Sequence, residues 1–328
     1  MTSRSDGTRA FLGIFAEIIA GSAEIIFLDE PEAFLHPSLS RRLAQEITSN
    51  ADKSKQIFVA THSANFLSGL LSTTEDVNIV RLSQFGETRD ARLLPKEDIQ
   101  EMMRDPLLRS AGVLEALFHS GCLVVEGDAD LAFYREINDR LHRFGSEHIR
   151  DGAFICSHSK QSAHRMVNPL RAVGIPTACI FDIDWIKEDG TVAANYFKSI
   201  GLPEKTAESM KLERRADRTM LENKNIEYKR NGGLELLSGS DLDTANMFFD
   251  RCEEFGLFTV RSGELESWLP HLNVLRNKQN WIPRVFDAMG SDPTKSGYVK
   301  PSEHEDVWAF LRRVANWLSN PKRKGMQS

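Results

Sequence analysis

The sequence predicts an α/β protein of two parallel-sheet domains, the second interrupted by a helical insertion. Three observations predict it. Short apolar runs ending in acids alternate with amphipathic segments, and strand, helix, strand in that order requires a crossover and hence a parallel sheet. The runs stop between about 82 and 106, where the chain turns polar and charged, and then begin again. A stretch from about 187 to 254 is rich in Lys, Glu, Arg and Asn and poor in strand formers. The expected organisation is therefore a domain with connector at 1–106, a second domain at 107–319 with its helical insertion at about 187–254, and a frayed tail at 320–328.

The elements follow in order. Thr8 to Ala20 carries apolar side chains at helical spacing behind a polar Ser-Asp-Gly start, as a capped helix should. Glu24-Ile-Ile-Phe-Leu-Asp29 reads as a strand buried on both faces, with carboxylates at its carboxyl end. Leu39 to Thr48 is a helix, and Gln56 to Ala60 a second buried strand. Past the connector, Leu107–Phe118, Asp130–Phe144 and Ser162–Val173 read as helices. Between and after them, Cys122–Val125, Phe154–Cys156 and Pro176–Phe181 read as strands. Leu257–Val260 resumes the sheet, and Glu305–Leu318 is a closing amphipathic helix.

Composition bounds the function. With 328 residues the chain can build two ordinary cores, and 41% apolar with 27% charged residues is the balance of a water-soluble protein. The net charge of −6 gives no global sign of nucleic-acid binding, yet a local basic stripe beside an acidic site is compatible with it. Cys122, Cys156, Cys179 and Cys252 form no C-x-x-C pair, which argues against zinc modules and redox motifs and for buried thiols in a reducing compartment. No segment has the length or flanks of a signal peptide or membrane span, so a cytoplasmic location is expected.

In the first domain Leu28-Asp29-Glu30-Pro31-Glu32 closes an apolar strand. One carboxylate there can organise Mg²⁺ and the next can polarise an attacking water. About thirty residues later the second strand ends in Thr61-His62-Ser63, where a histidine can sense a γ-phosphate. Upstream, Ser5-Asp6-Gly7-Thr8 opens a helix whose backbone N–H groups can meet an anion. In this order the three elements resemble the signature loop, the Walker B strand with its following His36-Pro37, and the switch histidine of ABC and SMC-type ATPases. The resemblance implies nucleotide contacts by Ser5, Gly7, Asp29, Glu30 and His62. The G-x-x-x-x-G-K-[ST] phosphate loop of those ATPases is not found in these residues. Gly290-Ser-Asp-Pro-Thr-Lys295-Ser296 lacks the second glycine and a preceding strand, and is a decoy. ATP binding is thus expected only if a Walker A half comes from a longer chain or a partner subunit.

In the second domain Leu123-Val-Val-Glu126-Gly127-Asp128-Ala-Asp130 places a glutamate at a strand end and aspartates opening a helix. Phe181-Asp182-Ile-Asp184 closes another strand, and residues two apart in a strand project to one side. Acids gathered at parallel strand ends repel one another unless a divalent cation neutralises them, and hard oxygen ligands favour Mg²⁺ or Mn²⁺ over zinc. Glu126, Asp130, Asp182 and Asp184 resemble the Toprim signature over about residues 113 to 318. With the ATPase elements in front, the whole resembles the OLD (overcoming lysogenization defect) family of nucleases. The implied fold is the rear portion of an ABC-type ATPase sheet followed by a parallel-sheet, Rossmann-like Toprim domain.

The same resemblance implies a further metal ligand at Glu264 or Glu266, from the segment Ser262-Gly263-Glu264-Leu265-Glu266. It implies a late lysine at Lys300 that steadies charge on the scissile phosphate, with Lys295 the alternative, and a phosphate contact at Lys160 in Ser159-Lys160. The expected activity is two-metal DNA hydrolysis with Glu126, Asp182 and Lys300 as catalytic residues. An ATPase module would regulate or assemble the nuclease, as a dimer or other homo-oligomer, and the family's use is commonly defence against phage. The alternatives are a topoisomerase or primase, or a catalytically idle assembly module. Tyr134, Tyr196, Tyr228 and Tyr298 stand in no recognisable nucleophile setting, and the cysteines cannot build a primase zinc module.

Overall fold

A computed structural model of the chain describes residues 6–52, 54–85, 88–104, 106, 112–303 and 306–326. It forms two compact units, Met1–Phe118 and His119–Ser328. The first opens with α1 (Asp6–Ala20), β1 (Ile25–Asp29), α2 (Pro37–Asn50), β2 (Gln56–Ala60) and α3 (Ala64–Leu71). β1 and β2 pair in parallel, with Asp29 opposite Ala60.

Side chains alternate across a strand, so Ile26, Leu28, Ile57 and Val59 share the face that packs on Ile18, Leu43, Ile47 and Phe66 of the three helices. The other face is open: Ile25, Phe27 and Phe58 are 55%, 75% and 53% exposed, and the two phenylalanine rings stack at 5.0 Å. This corrects the expectation of a strand buried on both faces. Among the described residues, helices cover one face of this sheet only.

The polar connector also holds more structure than its composition predicts. β3 (Ile79–Phe85) and β4 (Thr88–Leu94) form an antiparallel hairpin, followed by α4 (Lys96–Arg104) and the short α5 (Val113–Ala116). Val80 and Leu82 face solvent, at 54% and 77% exposed, while Arg81 and Ser83 are partly covered. That inverts the usual alternation and hides the strand signal. Residues 107–111 of the expected helix lie outside the described ones.

The second unit runs β5 (Gly121–Val125), α6 (Asp128–Arg143), β6 (Gly152–Cys156), α7 (His164–Ala172) and β7 (Thr177–Asp182). It continues through α8 (Thr191–Ser199), α9 (Glu204–Lys224), α10 (Gly239–Glu254), β8 (Leu257–Val260), α11 (Trp281–Met289) and α12 (Val307–Ser319). The four strands are parallel in the order β6-β5-β7-β8. On one face Leu123, Val125, Ile180 and Phe258 pack against Phe133, Trp281, Trp308 and Leu311 of α6, α11 and α12. On the other, Phe181 meets Tyr196 of α8 at 5.3 Å. β5 and β8 are buried along their whole length, as strands covered on both faces should be.

The insertion is helical, and its α10 stacks Phe248 at 6.1 Å on Trp185, whose indole N–H donates to Thr259 Oγ1 of the sheet at 2.8 Å. The four cysteines are buried and unpaired. Among the described residues no helix is long and apolar enough to cross a membrane.

Candidate functional site

Parallel strands bring their carboxyl ends to one edge of the sheet. β5 and β7 are neighbours, with Val125 opposite Ile180, so the residues after them meet. Glu126 follows β5, Asp182 ends β7, and carboxylate oxygens of Glu126, Asp182 and Asp184 lie within 4.8 Å of one another. One geometric expectation is corrected. The strand stops at Asp182 and Ile183–Lys187 forms a 3-10 turn, so Asp184 arrives by the turn rather than by strand alternation.

Asp130 sits in the first turn of α6 and accepts a hydrogen bond from the Gly127 N–H at 3.1 Å. Asp182 Oδ1 accepts one from the Leu265 N–H at 3.0 Å, which ties the end of β7 to the Gly263–Glu266 segment. Within that segment Glu264 is 4% exposed and Glu266 is half-buried. The Lys278 ammonium lies 3.9 Å from Glu264 Oε2.

Two lysines neutralise the acids. Lys160 Nζ lies 2.9 Å from Asp184 Oδ2 and 3.9 Å from Glu188 Oε1. Lys229 Nζ bridges Asp182 Oδ2 at 2.8 Å and Asp184 Oδ1 at 3.1 Å. Sequence reasoning missed Lys229, which lies among many charged residues of the insertion. No sequence pattern marks it; in the structure Gly263, at φ +121°, lets the Lys229 carbonyl approach so closely that a Cβ would stand 2.0 Å from it.

Lys300 is not brought to the acids. Its ammonium lies 5.6 Å from the Phe144 ring, at the carboxyl end of α6, whereas Asp130 begins that helix. At ~1.5 Å rise per residue those ends are roughly 20 Å apart. Lys295 is exposed in a turn beyond α11, with no strand before it.

Burial first, and then the Asp182 carboxylate, raises the Glu126 carboxyl above its ordinary range. Asp130 is pushed up to about 7 by burial, then by Asp182 and Glu126. Glu264 is raised by burial and by Glu266. Asp184 goes the other way: burial opposes its charge, but Lys229 and Lys160 outweigh it and hold it low. Burial likewise opposes the Lys229 charge, and Asp182 with Asp184 keep it above the usual lysine range.

Glu126 Oε2 and Glu264 Oε2 are buried without a hydrogen-bond partner. An all-oxygen donor set with orphaned buried carboxylate oxygens fits hard divalent cations of the Mg²⁺ and Mn²⁺ kind.

A pH dependence follows from Asp130. In the ion-free protein its raised pKa means that the fold binds more protons than the unfolded chain between its ordinary range and about 7, so this group lowers stability as pH rises through that window. A cation must displace that proton, so Mn²⁺ affinity is expected to weaken as pH falls from about 8 to about 6. Calorimetric titration at several pH values checks this, and a flat profile would remove Asp130 from the ligand set.

In the first unit Asp29 is exposed at the end of β1, and Glu30 follows it at φ 43°. Glu30 Oε1 lies 3.2 Å from His62 Nδ1, so the two strand-end residues do meet. Buried Glu32 accepts a hydrogen bond from the Thr61 hydroxyl. Gly7 is buried at the start of α1, against the Phe34 carbonyl, where a Cβ would stand at 2.6 Å. Ser5 lies outside the described residues.

Comparison with known proteins matches both units. Residues 1–68 fit the AAA_21 family, an AAA domain whose description links it to the AbiEii toxin and Type IV TA systems. Residues 117–184 fit the family described as "Overcoming lysogenization defect protein-like, TOPRIM domain". The Old nuclease of Escherichia phage P2 is 29% identical over 175 residues, a stretch covering 50% of this chain and 28% of that protein. The aligned stretch thus spans less than two thirds of the relative's length. With an AAA-like portion at 1–68 followed by an OLD-like Toprim match at 117–184, the chain resembles ATPase–Toprim fusions of the OLD kind.

Proposed function

We propose that this chain is a divalent-metal-dependent nuclease of the OLD family that hydrolyses DNA phosphodiesters at the Toprim sheet edge. The observation that carries the reading is the convergence of Glu126, Asp182 and Asp184 within 4.8 Å, with buried oxygens of Glu126 and Glu264 that lack a hydrogen-bond partner. The phage P2 relative is named a nuclease, which agrees with it. Bound divalent ions, two in this reading, would supply water activation and charge neutralisation at the reacting phosphate. Glu126, Asp130, Asp182, Asp184 and Glu264 would hold them. Lys160 and Lys229 balance the acids in the ion-free protein, and with ions bound they would be free to meet phosphate oxygens of the DNA.

In the same proposal Asp29, Glu30 and His62 face a nucleotide whose phosphates are held by a loop outside these 328 residues. The open Phe27–Phe58 face receives the rest of that ATPase layer. ATP then controls or assembles the nuclease, in the service of phage defence.

Hydrolysis is favoured over strand passage by the tyrosines. Tyr134, Tyr196, Tyr228 and Tyr298 are all buried, at 0%, 1%, 0% and 7% exposed, so none can reach a DNA phosphate as a nucleophile. End-labelled DNA stopped with denaturant is therefore expected to show free nicked and linear products. A label that migrates with protein, lost when one tyrosine becomes phenylalanine, would overturn the hydrolase reading.

A further inference from the structure

A second cluster of ligating atoms lies one strand over from the acids and has a different chemistry. Asp128 stands at the start of α6, Cys156 ends β6, and His158 follows two residues later. A carboxylate oxygen, the thiol sulfur and an imidazole nitrogen from these three all lie within 4.8 Å of one another. The parallel register, Val125 opposite Cys156, brings the segments together.

The backbone shapes the cluster. His158 has φ 56°, a left-handed conformation uncommon outside glycine, and its ring nitrogen Nδ1 lies 3.5 Å from Cys156 Sγ. The His158 N–H also donates to that sulfur at 3.3 Å. Cys156 is buried, whereas Asp128 and His158 are exposed. The sulfur is thus buried, while the other two donors beside it are open to solvent.

We propose that Asp128, Cys156 and His158 form a metal site, separate from the acid cluster, for a borderline divalent transition metal of the zinc class. Sulfur, nitrogen and one carboxylate suit such an ion, and three protein ligands leave a fourth position for water. The all-oxygen Glu126, Asp182 and Asp184 set suits hard ions instead. Coordination converts the Cys156 thiol to a thiolate, and the displaced proton leaves to solvent. The ion would pin the start of α6 to the end of β6. Nothing in this assignment depends on DNA being the substrate of the neighbouring acids.

The test is Co²⁺ titration of the full chain in excess Mg²⁺, followed by optical absorption. The wild type is expected to show a thiolate-to-cobalt charge-transfer band that saturates at one equivalent and is bleached by Zn²⁺. Cys156→Ser should abolish the band. Asp128→Asn and His158→Asn should weaken Co²⁺ binding by on the order of tenfold or more, and asparagine tolerates the left-handed backbone at 158. Glu126→Gln should leave the band intact. A wild type with no band, a band that survives Cys156→Ser, or unchanged affinity in the folded, exposed-site variant His158→Asn would each overturn the proposal. Loss of the band in Glu126→Gln would place the ion among the acids and overturn it too.

Discussion

Asparagine at position 182 is expected to lower divalent-ion-dependent nicking of supercoiled plasmid by about 100-fold or more. Changes outside a metal's own ligands already cost about 10–100-fold, and this one removes a charged oxygen from the centre of the cluster. Asp182→Asn keeps the shape of the side chain. Its carbonyl oxygen can still accept from the Leu265 N–H, so the tie between β7 and the Gly263–Glu266 segment survives. Lys229 keeps Asp184 as a partner at 3.1 Å. The variant should therefore unfold near the wild-type temperature while its initial nicking rate collapses. Wild-type rates from the purified variant would remove Asp182 from the reacting centre.

Alanine at position 263 is expected to act through the backbone, and with the largest effect on stability. Gly263 has φ +121°, a conformation that side chains rarely adopt, and its missing Cβ is what admits the Lys229 carbonyl. The obstructing atom belongs to the main chain, so no flexible side chain can yield. Strain of this kind costs roughly 1–3 kcal/mol before the clash is counted. A loss of about 3 kcal/mol would lower the unfolding temperature by roughly 6 °C or more in a unit of this size. Gly145→Ala is the control: φ is +67° there, but nothing lies within 4 Å of the added carbon. Thermal unfolding of the two variants checks the point, and equal shifts would mean that the close approach to Lys229 contributes nothing. Gly263→Ala should also weaken Mn²⁺ binding, because Glu264 and the Leu265 N–H that holds Asp182 move with that segment.

The strand ends were legible because their chemistry is local. An apolar run closed by acids announces both the strand and the edge at which it stops, and the run Gln56–Ala60 matches β2 to the residue. Glu126, Asp182 and Asp184 needed only neighbouring parallel strands to converge.

What stayed hidden depends on contacts between distant segments. Lys229 comes from the insertion and reaches Asp182 and Asp184 across the fold, so no spacing marks it. Lys300 fits a motif position, yet it lies over Phe144 at the wrong end of α6. The Ile79–Leu94 hairpin exposes Val80 and Leu82, so its apolar residues do not point to a core. Helix α11 was masked by Pro283, which the first turn of a helix tolerates because its N–H has no helical partner there.

The most direct measurement is the nicking rate of the wild-type chain on supercoiled plasmid, first in chelator and then across increasing Mn²⁺ at fixed pH. The expected result is no cleavage in chelator and a saturable recovery as the ion is restored, with free unsealed ends throughout. Cleavage undiminished by the chelator would contradict the assignment of Glu126, Asp130, Asp182 and Asp184 as the metal-holding centre of a nuclease.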